Sequence, residues 1–365
     1  MKATLYRAEL RYPHLQLYTA SSGSVPGLDQ LYLLLEDKNF NGLGEVRINI
    51  AYLNGYSAEE VLRDVVRALR QLDLSQTAST LLMNLPQSLA DFLAPTRMLI
   101  DIALHDLIAR QEGISVAQLA GAVNSETVSY HTNQTLFWTP MDQMLQQATA
   151  YVERGFTQLK LRVGVATFAQ DEARLSALRR RFGYEISLSA DANGQWQPEE
   201  AHSHLLALAK FEMSYLEQPV SDAHAHHYPA LADISPMPLM LDESMSSEAD
   251  LERILQLKGK IMAHLKLVKM GGIAPTVAAA RRLNAAGVPF MIGQMNEGSA
   301  ATAAALHVAR ATQPAYAELY GADGLGNDPV QGLSYHQGVV SSQPGAGLGV
   351  RFTPSQAEFI QEFEQ

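Results

Sequence analysis

The chain contains no cysteine, which excludes disulfides, thiolate metal ligands and cysteine nucleophiles and leaves the compartment undecided on that ground. It also lacks an apolar run of membrane-spanning length, and the residues after Met1-Lys2 alternate between polar and apolar instead of forming an apolar core. Neither a signal peptide nor a membrane helix is expected, and a cytoplasmic location is the default. Basic residues are scarce: 27 Lys and Arg against 38 Asp and Glu give a formal charge of −11, which argues against nucleic acid or an anionic membrane surface as a partner. Residues 321–332 are glycine-rich but lack the strand and helix start that a phosphate loop needs, and no serine sits at a nucleophile elbow. What is present is an ordinary globular composition, 47% hydrophobic and 18% charged over 365 residues, enough for one barrel plus a smaller domain.

Three short apolar runs, each ending in a carboxylate, organise the chain: Ser-Leu-Ser-Ala-Asp191, Tyr-Leu-Glu217 and Met-Leu-Asp242, about 25 residues apart. Each gap holds one helix-length segment, so the pattern is a βα repeat carrying one acid per unit. In a parallel (β/α)8 barrel the carboxyl ends of the strands share one face, and the three acids would converge there. Converged carboxylates repel one another and call for a hard, oxygen-preferring divalent cation. Asp191, Glu217 and Asp242 are therefore the expected ligands of Mg2+, with Mn2+ as a substitute.

Cations bracket this trio. Lys160 and Arg162 lie two apart on one face of an upstream strand, and Lys266 ends a downstream strand before Gly271-Gly272. A lysine held near a divalent ion and another cation has a lowered pKa and serves as a base near neutral pH. The order Lys160-x-Arg162, Asp191-x-Asn193, Glu217-Gln-Pro219, Asp242-Glu243-Ser244, Lys266 with Gly271-Gly272, and Gly293-Gln-Met-Asn-Glu297-Gly298 resembles the enolase superfamily, specifically its mandelate racemase/muconate lactonizing enzyme subgroup. The resemblance runs from the amino terminus to about residue 335.

Strand and helix signals fill in the architecture. Residues 1–124 read as an α+β capping domain: a strand at 31–36, a turn at 37–42 tolerant of positive φ, a return strand, a capping box at Ser57 and Glu60, and helices at 61–72 and 95–110. Asp101 and His105 are four apart on the second helix, where packing or capping is preferred to metal binding. Residues 125–337 read as a modified (β/α)8 barrel, beginning with a strand at 128–133 and a helix at 142–154 and ending with strands at 288–293 and 315–320. The resemblance implies that the tail, 338–365, returns to the capping domain as an extended segment and a short helix. The histidines at 224, 226 and 227 lie on a polar segment and read as a solvated loop or helix start.

The resemblance also implies a chemistry and a site. Enzymes of this family remove the proton next to a substrate carboxylate and stabilise the resulting enediolate with the metal. Lys266 would be the base, Lys160 would add positive field, and Glu297 would orient the substrate. Asn193 and Glu243 would support the metal ligands. The loop at 18–26 and the turn at 50–56 would close over the barrel mouth; Tyr18, Tyr52, Tyr56, Asn133, Trp138, Met295 and Tyr320 are the expected substrate contacts. One departure bears on the reaction, because the family carries Lys-x-Lys where this chain has Lys160-x-Arg162, and a guanidinium stays protonated. That disfavours exchange on both faces and favours one-base chemistry by Lys266, namely dehydration of a hydroxy or sugar acid. The alternatives are an isomerase, either a muconate-type cycloisomerase or an amino-acid or dipeptide epimerase, and a non-catalytic carboxylate binder. Glu318-Leu-Tyr320 resembles the cycloisomerases more than the dipeptide epimerases, which place aspartates there. The expected partner is a small carboxylate. Relatives often form symmetric assemblies, which leaves a homo-oligomer open.

Overall fold

The computed structural model describes residues 1–19, 21–123, 127–257 and 260–364. The amino-terminal part contains β1 (Lys2–Leu10), a hairpin of β2 (Leu17–Thr19) and β3 (Gly23–Val25), then β4 (Leu28–Asp37) and β5 (Phe40–Arg47). β4 and β5 are joined by Lys38-Asn39, with Lys38 at φ 55°, so the expected positive-φ turn forms. The capping box also forms: Ser57 accepts from the backbone of Glu60 at the start of the helix Ala58–Gln71. The long helix Ala94–Glu112 lies on β5 and is buried nearly all round. Gly44 makes that contact close: a Cβ there would stand 2.0 Å from the Leu99 carbonyl oxygen. On the same helix His105 donates from Nδ1 to the Asp101 carbonyl at 2.8 Å, and Asp101 accepts from the backbone of Ile273. The pair is a packing and capping device.

The barrel part contains β6 (Ser129–His131), β7 (Gln134–Leu136), β8 (Gln158–Arg162), β9 (Ser187–Asp191), β10 (Leu216–Glu217), β11 (Leu239–Leu241), β12 (Ile261–Lys266), β13 (Phe290–Gly293) and β14 (Tyr316–Ala317). Five short strands follow: β15 (Val330–Gln331), β16 (Leu333–His336), β17 (Val339–Ser342), β18 (Arg351–Phe352) and β19 (Glu358–Phe363). Strands β7 to β14 pair in parallel in chain order, with a helix or helical turn after each strand from β7 to β13. Asn133 N donates to Ala317 O at 3.1 Å and joins the first strand to the last, which makes the sheet a (β/α)8 barrel.

The first barrel strand differs from the expectation. Residues 129–131 pair antiparallel with β17, and the barrel starts at β7. The reason is burial: Ser129 and Tyr130 are half-buried and His131 is exposed, which suits a small sheet at the foot of the barrel, whereas all three residues of β7 are buried. β19 pairs with β1, giving the sheet order β19-β1-β4-β5. The expected boundary near 124 falls on residues outside those described. Among the described residues no helix is long and apolar enough to cross a membrane.

Candidate active site

Parallel register sets the chemistry at one level. Arg162 is opposite Asp191 and Asp191 opposite Glu217, while Glu217 is opposite Met240, so Asp242 lies two residues further along on the same face. On the far side, His264 and Lys266 alternate onto the inner face of β12. Gly293, opposite Lys266, leaves room for the imidazole, since a Cβ there would be 2.0 Å from His264 Nε2.

Every carboxylate of the trio meets a cation. Lys160, fully buried, places Nζ 2.8 Å from Glu217 Oε2, 2.5 Å from Glu318 Oε2 and 3.7 Å from Asp191 Oδ2. Arg162 Nη1 contacts Asp191 Oδ2 and lies 3.2 Å from Asn193 Oδ1. Lys266 Nζ is 2.6 Å from Asp242 Oδ2 and 3.2 Å from Met295 Sδ. Lys269 Nζ reaches Asp242 twice at 2.6 Å, at Oδ1 and at the backbone oxygen. His264 Nδ1 is 2.7 Å from Glu217 Oε1 and 3.8 Å from Asp242 Oδ1. Glu217, Asp242 and His264 offer ligand atoms all within 4.8 Å of one another. The structure thus gathers Glu217 and Asp242 with His264, while Asp191 is met by the guanidinium that replaces a shorter lysine.

Electrostatics follow from these contacts. Burial alone would push the Glu217 and Asp242 carboxyls up, but Lys160 and His264 hold Glu217 well below the ordinary range, and Lys266 and Lys269 do the same for Asp242. Burial lowers Lys160 and Lys266, yet the carboxylates outweigh it and both stay raised; for Lys269 burial wins and its pKa falls. Burial pushes Glu297 up to about 7, and its Oε1 has no partner among the described residues. Burial and the Asp242 charge raise Glu243, whose Oε1 accepts from Asn193 Nδ2 at 3.3 Å and whose Oε2 has no partner.

A divalent ion fits this donor set. Glu217 and Asp242 are buried, ionised and close enough to share one ion, Asp191 lies in register beside Glu217, and their oxygens are the hard donors that Mg2+ prefers.

The cavity above these groups is lined by Arg162, Asn193, Asp242, Glu243 and Lys266 from the barrel and by Arg47, Tyr52 and Met295 nearer its mouth, with Thr19, Ser21 and Ser22 on the loop that covers it. Tyr52 and Met295 border the cavity. Tyr18 and Trp138 do not: they pack on each other with ring centroids 6.0 Å apart. Tyr56 packs on the main core. Tyr320 is buried with Leu10, Leu17, Leu28 and Phe137 in an apolar cluster beneath the loop, and Asn133 donates to Glu318 Oε2 at 3.1 Å. These four aromatics fill joints between elements, where large rings bury the most area. Residue reading passed over His264, Lys269, Arg47 and Phe137. The alternation that exposed Lys266 also marked His264, two residues earlier.

The chain matches the model of the enolase C-terminal domain-like family over residues 143–356. It is 27% identical over 323 residues to an N-succinyl-L-Arg/Lys racemase of Bacillus cereus, an alignment covering 85% of this chain and 84% of that protein. Among solved structures it is similar to a dipeptide epimerase from Cytophaga hutchinsonii complexed with Mg and the dipeptide D-Ala-L-Val, with TM-score 0.89, 23% identity, and coverage of 99% of this chain and 98% of the other. It is likewise similar to muconate lactonizing enzyme from Pseudomonas fluorescens complexed with muconolactone, with TM-score 0.89, 22% identity, and coverage of 97% and 96%. With more than half of its length in the family match and the carboxylates and lysines ordered around one barrel mouth, the chain belongs to the enolase C-terminal domain-like family and is an enzyme of the enolase superfamily.

Proposed function

We propose that the protein is a Mg2+-dependent isomerase that removes and returns the proton on the carbon next to a carboxylate, acting as a racemase or epimerase on an amino-acid derivative whose nitrogen is acylated. The observation that carries this reading is the placing of Lys266 and Arg162 on strands four apart, on opposite sides of the barrel, with the carboxylates between them. Similarity to a racemase along most of the chain supports the same reaction class. Dehydration, favoured above because of Arg162, has no support among the relatives compared, which are racemases, epimerases and lactonizing enzymes.

Glu217 and Asp242, with Asp191 or His264 completing the set, would hold the ion, which when bound supplies positive charge against the negative charge that builds on the substrate carboxylate. Lys266 faces the cavity but is held protonated by Asp242 as the site stands, against the lowered pKa expected from the sequence; with Asp242 engaged by the ion that pairing would be released, and Lys266 would take the α-proton. Lys160, locked between Glu217 and Glu318, keeps its proton and contributes field. Arg162 holds positive charge on the opposite face and would be the proton donor for inversion there, a slow one because a guanidinium gives up its proton poorly. Glu297, half-ionised near neutral pH, donates to or accepts from the substrate at its unpartnered oxygen. The nitrogen substituent follows from Glu318: Lys160 already neutralises it, and Tyr320 is buried in an apolar cluster, so among the described residues no free acid pair just after β14 is left to hold an ammonium group.

The test is deuterium wash-in at the α-carbon of N-acetyl and N-succinyl amino acids with Mg2+, followed by proton NMR. Exchange is expected for the wild type and loss of at least about 10²-fold in Lys266→Ala. Undiminished exchange in that variant, or silence across the set, would sink the assignment.

A further inference from the structure

Three cations line the cavity, and two of them are spent. Arg162 contacts Asp191 and Lys266 contacts Asp242. The third, Arg47 at the end of β5, is 1% exposed and has no carboxylate in ion-pair range among the described residues. Its contacts are all to neutral acceptors: Nε donates to Asn49 Oδ1 at 2.8 Å, Nη1 to the Met295 carbonyl at 2.5 Å and Nη2 to the Asn49 carbonyl at 3.4 Å. A guanidinium carries five N–H groups, so with its partners among the described residues each terminal nitrogen still has one to give. A buried charge without a counter-charge is costly, and the fork of an arginine suits a carboxylate. The nearby Glu297 does not supply that charge in full, because burial holds its carboxyl near neutrality.

We propose that Arg47 is a specificity residue that receives a second anionic group of the substrate, a carboxylate at the end remote from the reacting carbon. Met295 fixes the separation, since its carbonyl accepts from Arg47 while its sulfur lies 3.2 Å from Lys266 Nζ. The two anionic groups of the substrate are therefore joined by a short linker. Leu17, Val25, Leu53 and Phe137 line the space around it together with the hydroxyls of Thr19, Ser21 and Ser22, which leaves Arg47 as the charged anchor on the capping side among the described residues. The proposal rests on the isomerase reading for the position of the α-carbon.

The experiment compares two probes of equal length on the wild-type enzyme with Mg2+: N-succinyl-L-phenylalanine and the same compound with its succinyl carboxylate converted to the primary amide. The carboxylate is expected to exchange its α-proton with kcat/KM at least about tenfold higher, through KM, and Arg47→Gln should bring the ratio to about one. Arg47→Lys should recover part of the preference. A purely structural Arg47 would slow both probes alike and leave the ratio unchanged. Equal kcat/KM in the wild type, or a preference that survives Arg47→Gln, overturns the proposal. Absence of exchange with both probes overturns the isomerase reading alone. Calorimetry then decides Arg47 by the binding of N-succinylglycine against its amide: tighter binding of the acid that is lost in Arg47→Gln supports the site, while equal binding or binding of neither overturns it.

Discussion

A guanidinium at residue 162 changes what one face of the site does. A lysine there would trade protons once its surroundings lowered its pKa; Arg162 is instead held above its ordinary range, because Glu318 and Glu217 outweigh the effect of burial. Proton exchange through Lys266 is therefore expected to outrun inversion of configuration. Arg162→Lys should raise the ratio of inversion to exchange by on the order of 10²-fold, followed by optical rotation and deuterium wash-in on one sample. An unchanged ratio would mean that Arg162 moves the proton as readily as a lysine does. Lys269 gives a second expectation. It grips both Asp242 Oδ1 and the Asp242 backbone oxygen, so Lys269→Met should free that carboxylate to turn and weaken Mg2+ binding by about tenfold in a titration, with tighter or equal binding counting against a positioning role. At this scale the legible residues were those ending apolar strands. Asp191, Glu217, Asp242 and Lys266 announce themselves by alternation, whereas Arg47 ends a strand of another sheet, and its place over the barrel is a tertiary fact. The pairing of Arg162 with Asp191 was hidden for a related reason: side-chain reach is not written in spacing.

Elements show why some of the chain was readable and some was not. β9 to β12 are apolar runs of the right length separated by helices, so their order and direction follow from the pattern. β6 also alternates, but alternation says nothing about which sheet a strand joins, and its half-exposed face put it with β17. The helix Ser299–Thr312 carries a buried group that no motif marks. His307 Nδ1 accepts from Ala117 N at 2.9 Å, and Nε2 donates to Leu348 O at 3.1 Å. That pairing requires the neutral ring, since a proton on Nδ1 would face another N–H. Burial accordingly lowers His307 from 6.5 to about 4. The unfolded chain binds a proton near 6.5 and the folded one near 4, so the stabilisation is complete above pH 6.5 and is lost as pH falls toward 4. The loss amounts to about 3 kcal/mol, at about 1.4 kcal/mol per pH unit. His307→Gln, which keeps one donor and one acceptor, should flatten stability against pH over that window in denaturant titrations. An equally steep slope in the variant would remove His307 as its source.

At the scale of the whole molecule, the cap and the barrel are tied through buried polar joints. Glu45 on β5 accepts from the backbones of Ala300 and Ala301 at 2.8 and 2.9 Å and Asp101 accepts from Ile273, while Asp106 ties the cap to the tail by accepting from Leu43 N and Leu348 N at 2.9 and 2.7 Å. Breaking such joints strands buried carboxylates, so neither part opens cheaply without the other. The tail adds a further tie, with β19 covering the edge of β1. Ending the chain at Gln356 would uncover that edge, which lies far from the carboxylates of the barrel mouth. Because Arg47 hangs from the same sheet, the damage should spread to the site: the shortened protein is expected to unfold in one transition, lowered by roughly 5 °C, and to bind N-succinylglycine more weakly. Scanning calorimetry with and without that probe measures both. Two separate transitions, with the barrel melting at its original temperature, would show that the joints at Glu45 and Asp101 do not couple the parts.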